Sequence, residues 1–185
     1  MRKTALPKVI FRSFIFLALA TFSVRAATIW NGPLTTFSKV NGANPSLPGN
    51  QDRLTSDIWL TRSSSQGLYN ANIENSFTHF DSPAGTEWAN GFLTNYASLT
   101  YHDWNTWAKG VNAGPPSTVG VNAVLHLIPD DIYLSVRFTS WTSSGSGGGF
   151  SYIRSTPIVP EPSVASLLVT GFLLVAARRR FSRLS

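Results

Sequence analysis

The stretch Asn122-Ala123-Val124-Leu125-His126-Leu127-Ile128-Pro129-Asp130-Asp131-Ile132-Tyr133-Leu134-Ser135-Val136-Arg137-Phe138-Thr139-Ser140-Trp141 decides the fold class. Its first part, Asn122 to Ile128, is a short apolar run that reads as a buried strand. Pro129-Asp130-Asp131 reads as a turn: proline pre-sets one backbone angle, and aspartates bond their own backbone. Ile132 to Trp141 then alternates. Ile132, Leu134, Val136 and Phe138 take one side; Tyr133, Ser135, Arg137 and Thr139 take the other. A period of two with one apolar side predicts a half-buried antiparallel hairpin.

Downstream, Ser143-Ser144-Gly145-Ser146-Gly147-Gly148-Gly149 has the composition of a flexible loop. Phe150 to Ser155 returns as a strand, with Phe150, Tyr152 and Arg154 on one face. Upstream, strands are expected at Ala27–Trp30, Leu34–Lys39, Asp57–Thr61, Leu68–Asn70, Phe77–Phe80 and Tyr96–Tyr101. A short helix is expected at Asp103–Ala108. Pro45, Pro48, Pro83 and Pro115-Pro116 mark loops. Seven or more short strands with frequent turns predict an all-β domain over residues 27–157, an antiparallel β-sandwich or jelly roll.

The two ends read differently. Residues 1–26 carry the three parts of a secretory signal: Arg2, Lys3 and Lys8, then the apolar run Phe14 to Ala20, then Val24-Arg25-Ala26 as a peptidase site. An N-terminal signal helix cleaved after Ala26, with signal peptidase as a partner, is the expectation. Residues 158–185 hold Pro160-Glu161-Pro162, an uncharged stretch from Val164 to Ala177, and Arg178-Arg179-Arg180. The prolines hold the entry extended. A helix of that length reaches about 22 Å, a short transmembrane helix against a hydrocarbon core of about 30 Å. The arginines favour the cytoplasmic face and stop transfer.

These three ordered parts resemble the PEP-CTERM sorting tail of exported bacterial proteins, a segment also named as the C-terminal domain of ice-binding proteins. That second name describes the tail and carries no ice binding with it. The resemblance covers about the last seventh of the chain. It implies recognition of Pro160, Glu161, Pro162 and the Arg178–Arg180 cluster by an exosortase-like membrane transpeptidase, with transient anchoring before release to the cell envelope or outside. The central segment, through Asn112 to Gly120, Asp130 to Leu134 and Phe138 to Thr156, resembles a set of secreted bacterial β-domains without an established activity.

Charge and composition exclude several classes. The whole chain carries +6, but between Ala27 and Pro160 six basic side chains face eight acidic ones, a net −2. The basic excess belongs to the ends, so the domain has no electrostatic footprint for nucleic acid. There is no cysteine. Disulfides, thiolate metal sites and cysteine nucleophiles are therefore excluded.

For chemistry, Asp57, Glu74, Glu87 and Asp103 are the carboxylates to weigh for glycoside hydrolysis, which needs two of them. Their spacing pairs none. Asp130 and Asp131, with Asp52 and Asp57, are the oxygen donors for a weak Ca²⁺ site; no other cofactor is implied. His79, His102 and His126 show no ligand spacing, and His126 reads as a satisfied core residue. Gly145-Ser146-Gly147 lacks the strand-to-helix context of a nucleophile elbow. The aromatic group Trp88, Tyr101, Trp104 and Trp107 is the most pointed feature. Such faces stack on sugar rings, and Trp104 and Trp107 share a side of a helical turn; the competing and preferred reading is that most of them are core or rim residues of a sandwich, because Trp is highly buried on average. These residues predict a non-enzymatic surface protein that interacts with extracellular polysaccharide or surface partners. A small secreted glycan hydrolase and a purely structural surface protein are the alternatives.

Overall fold

The computed structural model describes residues 26–143 and 145–159. The signal segment, the Pro-Glu-Pro tail and its apolar stretch lie outside the described residues. Among the described residues no helix is long and apolar enough to cross a membrane.

The domain is mostly β. Its strands are β1 (Thr28–Trp30), β2 (Leu34–Lys39), β3 (Asp52–Arg53), β4 (Trp59–Arg62), β5 (Leu68–Asn70), β6 (Thr86–Asn90), β7 (Ala123–Leu127), β8 (Ile132–Trp141) and β9 (Phe150–Ser155). The larger sheet runs β2-β9-β8-β7-β6 with antiparallel neighbours, and β1 joins the start of β8 in parallel. The smaller sheet runs β3-β4-β5.

The expected hairpin forms. Ala123 pairs with Val136 and Leu127 with Ile132. Between them, Ile128–Asp130 makes a single 3-10 turn, and Asp131 takes the left-handed conformation that closes it, at φ 50°. Aspartate tolerates that region better than most residues. Ile132, Leu134, Val136 and Phe138 are all buried. With Leu60 and Leu68 of the smaller sheet, and Leu125 and Leu127 of β7, they belong to one apolar core. That core draws on both sheets.

A β-bulge breaks the alternation where it matters. The β8–β9 register shifts between Phe138 and Ser140, so that Trp141, not Ser140, lies opposite Phe150. A bulge re-aims the residues beyond it. Trp141 is thereby brought 5.8 Å from Phe138, edge to face.

Three expectations fail. Phe77–Phe80 is a turn, closed by Ser82 N–H donating to the Thr78 carbonyl (3.0 Å) and Thr78 N–H to Ser82 Oγ (2.7 Å). Tyr96–Tyr101 is no strand: Leu93–Ser98 coils as a 3-10 helix, and only His102 beyond it bridges to Trp88. The glycine run is also no free linker. Gly149 N–H donates to Asn41 Oδ1 (2.8 Å), and Gly42 N–H donates to the Gly147 carbonyl (2.8 Å). A Cβ on Gly148 would sit 1.8 Å from the Ser63 carbonyl oxygen, at φ +67°. Glycine is there because two backbones touch. Gly148→Ala is therefore expected to cost about 1–3 kcal/mol by urea unfolding, whereas Gly145→Ala, with open space at its Cβ, tests the positive φ alone and costs less.

Candidate functional site

A cleft of about 410 Å³ opens between the end of β4, the end of β8 and the segment Trp104–Pro116. Its walls are Phe77, Trp104 and Trp141, its rim carries Lys109, and Asn105 and Arg62 supply further polar groups. Among the described residues, no Asp or Glu lines it.

Each wall has a local cause. Trp141 arrives through the β8 bulge. Trp104 and Asn105 begin a helical segment that widens into a π-turn over Thr106–Val111. There Asn112 N–H donates to the Trp107 carbonyl at 3.1 Å, five residues back. Asp103 starts the segment by accepting Thr106 N–H at 3.0 Å. Gly67 lets Phe77 and Trp104 close in, since a Cβ would meet them at 2.6 and 2.7 Å.

Arg62 is the unusual member. It is 1% exposed. Its Nε donates to the Gln66 carbonyl (2.7 Å), and its Nη1 donates to the carbonyls of Thr142 (2.9 Å) and Gly149 (3.3 Å). The guanidinium lies 3.9 Å from the centre of the Trp141 ring, a cation–π contact. Burial pulls Arg62 down to about 10. No carboxylate pairs with it among the described residues. Lys39 is buried nearby with an unpartnered Nζ, held below its ordinary value first by burial and then by the Arg62 charge.

The residues expected to stack on sugars fall elsewhere. Trp88 and Trp107 are 0% exposed and Trp104 is 1%. Trp88 stacks on Trp107 at 5.4 Å and meets Trp104 edge-on at 5.0 Å. The shared helical side of Trp104 and Trp107 is real, but it faces the core. Indoles buried to this degree cannot take a sugar ring, so the three tryptophans take the core reading rather than the stacking one; of the three, Trp104 also lines the cleft. Tyr101 is half-buried on the opposite side of the larger sheet, edge-on to His126 and Tyr133. Burial first, then the charge of Tyr133, Glu87 and Tyr96, push its phenol well up.

On that outer side, strand register aligns Glu87 of β6, His126 of β7 and Tyr133 of β8. His126 Nδ1 lies 2.7 Å from Glu87 Oε1, and its Nε2 lies 3.1 Å from Asp131 Oδ1. Its ring stacks on Tyr133 at 4.0 Å. Both ring nitrogens are occupied, as the reading of a satisfied histidine requires.

Of the other carboxylates, Glu74 and Asp52 are engaged. Glu74 accepts the backbone N–H of Asn70 (2.6 Å) and Ala84 (2.9 Å) and the Ser82 hydroxyl. Asp52 is tied to Arg154 and Tyr152, Asp57 is exposed, and Asp130 and Asp131 shape the hairpin turn. The four aspartates weighed for calcium are not assembled, and among the described residues no group of three His, Asp or Glu can hold a metal ion.

Sequence reasoning missed Arg62, Asn105 and Lys109 as site residues. The available signal was Arg62 itself, a rare basic residue at the end of the apolar strand β4. Its partners lie 80 and 87 residues away, which spacing alone cannot reveal. No protein-family model, no curated protein and no solved structure matches the chain.

Proposed function

We propose that this chain is an exported, non-enzymatic envelope or extracellular-matrix protein whose β-domain, two sheets packed as a sandwich, binds extracellular saccharide in the cleft beside Trp141. The observation that carries the reading is the cleft's make-up: aromatic walls, two amide-bearing residues, two cations and, among the described residues, no carboxylate. Saccharide sites combine apolar faces with a few fixed polar groups. Glycoside hydrolysis instead needs two facing carboxyl groups about 5 to 10 Å apart. The lining supplies neither, so binding is preferred over cleavage. The outward address rests on the sequence pattern of residues 1–26 and 158–185, which implies processing by signal peptidase and by an exosortase-like transpeptidase.

Two measurements test this. Calorimetric titration of the processed protein with exopolysaccharide fragments should give saturable binding, weakened about tenfold or more by Trp141→Ala. Trp107→Phe, a core change, should leave the affinity of the folded protein within about twofold. Intact mass of the protein recovered from the cell surface should lack residues 1–26. A soluble intracellular chain of full mass would remove the export half of the reading.

A further inference from the structure

The domain holds one fully buried guanidinium, Arg62, and one mostly buried, Arg154, and it treats them differently. Arg154 has its carboxylate: Nε and Nη2 donate to Asp52 Oδ2 (2.7 Å) and Oδ1 (2.8 Å). Arg62 has only carbonyl oxygens. Those carbonyls fix its plane and direction but leave its full charge in place. A buried ion without a counter-ion is costly, and folded proteins ordinarily pair such groups.

Nε and Nη1 of Arg62 are committed to the backbone, while Nη2 donates to none of the described residues. Arg62 lines the cleft, and the other ionisable side chain in the lining is Lys109, also basic. The cleft thus has positive charge with nothing inside it to neutralise that charge, although the domain as a whole is acidic. A donor already immobilised by three hydrogen bonds and a tryptophan loses little freedom on binding.

We propose that the cleft takes a carboxylate-bearing sugar, a uronic-acid unit of an acidic polysaccharide, with the Arg62 guanidinium and Lys109 receiving the carboxylate and Phe77 and Trp141 lining the space for the ring. The proposal rests on the reading of this cleft as a saccharide site and adds the sign of its ligand. Planar carboxylate is the group that a fixed guanidinium matches best. The aromatic walls demand a ring with an apolar face, which a bare inorganic anion lacks.

The test uses the processed protein and three probes in parallel calorimetric titrations: an oligoglucuronate, a neutral gluco-oligosaccharide of equal length, and inorganic phosphate. The expected result is binding of the oligoglucuronate at least tenfold tighter than the neutral oligomer. That preference should shrink severalfold between 50 and 500 mM NaCl, and phosphate should show no saturable binding. Arg62→Met should abolish the preference. Should that variant fail to fold, exposed Lys109→Ala and the salt series decide: a severalfold loss with Lys109→Ala supports the proposal. Equal affinity for acidic and neutral oligomers would overturn the inference and leave the saccharide reading standing. Saturable phosphate binding with no sugar preference overturns both, as does no binding of any probe. An acidic preference indifferent to both salt and Lys109→Ala places the anion elsewhere and also overturns the inference.

Discussion

Trp88→Ala is expected to destabilise the domain by about 3–5 kcal/mol, measured by urea unfolding at neutral pH. Trp88 is fully buried. Its ring meets Trp104, Trp107 and Phe138 at 5.0, 5.4 and 6.1 Å. Its indole N–H donates to Thr86 Oγ1 at 3.1 Å, and its backbone exchanges two hydrogen bonds with His102 at 2.8 and 3.0 Å. Alanine removes the largest side chain from the middle of the aromatic cluster and orphans the Thr86 contact. The neighbours are themselves large and held by other contacts, so the cavity cannot collapse fully. A sugar-stacking tryptophan behaves in the opposite way: its removal costs affinity and little stability. A stability loss under about 1 kcal/mol with abolished saccharide binding would move Trp88 to the sugar-stacking role weighed against the core reading in the sequence.

That contrast shows what the sequence carried. Strands whose alternation is long and whose turns are punctuated were legible: β2, β5, β8 and β9 fall on the residues expected, and the turn at Pro129–Asp131 forms. The strand β6 was missed because Thr86-Glu87-Trp88-Ala89-Asn90 is short and mixes Glu and Asn with only two apolar residues. Its partner β7, with every residue buried, supplies the signal that β6 lacks. Tyr96–Tyr101 misled in the other direction. Its aromatics look strand-like, but Tyr96 packs on Tyr133 at 4.7 Å from a coiled segment. Aromatic residues report burial more faithfully than they report backbone geometry.

The candidate site was legible least of all. Aromatic clustering pointed to residues of which Trp104 lines the cleft, while Trp88 and Trp107 are buried in the core. That Trp141 lines the cleft while Trp107 is buried depends on one bulge and one π-turn, and neither leaves a mark in hydrophobic periodicity. Arg62 becomes interesting only when the partners of every other charged group are known. Arg154 finds Asp52, 102 residues away, and Arg62 finds no acid among the described residues.

Asp52 carries the second large effect. It is 6% exposed and binds three groups: Arg154 Nε and Nη2, and the Tyr152 hydroxyl at 2.7 Å. These contacts join β3 of the smaller sheet to β9 of the larger. Burial alone lowers Arg154, but the hydrogen bonds and charge of Asp52 outweigh it and hold it above its ordinary value. Asp52→Ala leaves a mostly buried guanidinium without its anion, and a loss of about 3–5 kcal/mol is expected. The double variant Asp52→Ala with Arg154→Met should lose less than Asp52→Ala alone, because it removes the orphaned charge as well. Equal or greater loss would mean that the ion pair does not govern the contact.

Tyr152→Phe isolates the third partner. At pH 7 it should cost about 1–2 kcal/mol, one hydrogen bond to a charged acceptor. The phenol is held well above its ordinary value of about 10, first by burial, then by the Asp52 charge and the bond it donates to Asp52, with Arg154 pulling weakly the other way. A raised folded value means that the folded state keeps a proton the unfolded chain releases. The associated stability is whole below pH 10 and drains as pH rises beyond it. The advantage of the parent over Tyr152→Phe should therefore shrink by about 1.4 kcal/mol per pH unit above pH 10, and then reverse. Because the comparison cancels Tyr101, Tyr133, Lys39 and Arg62, which titrate equally in both proteins, the slope belongs to Tyr152. A pH-independent difference between pH 7 and 11 would show that the phenol is open to water, and with it that the two sheets do not close over Asp52.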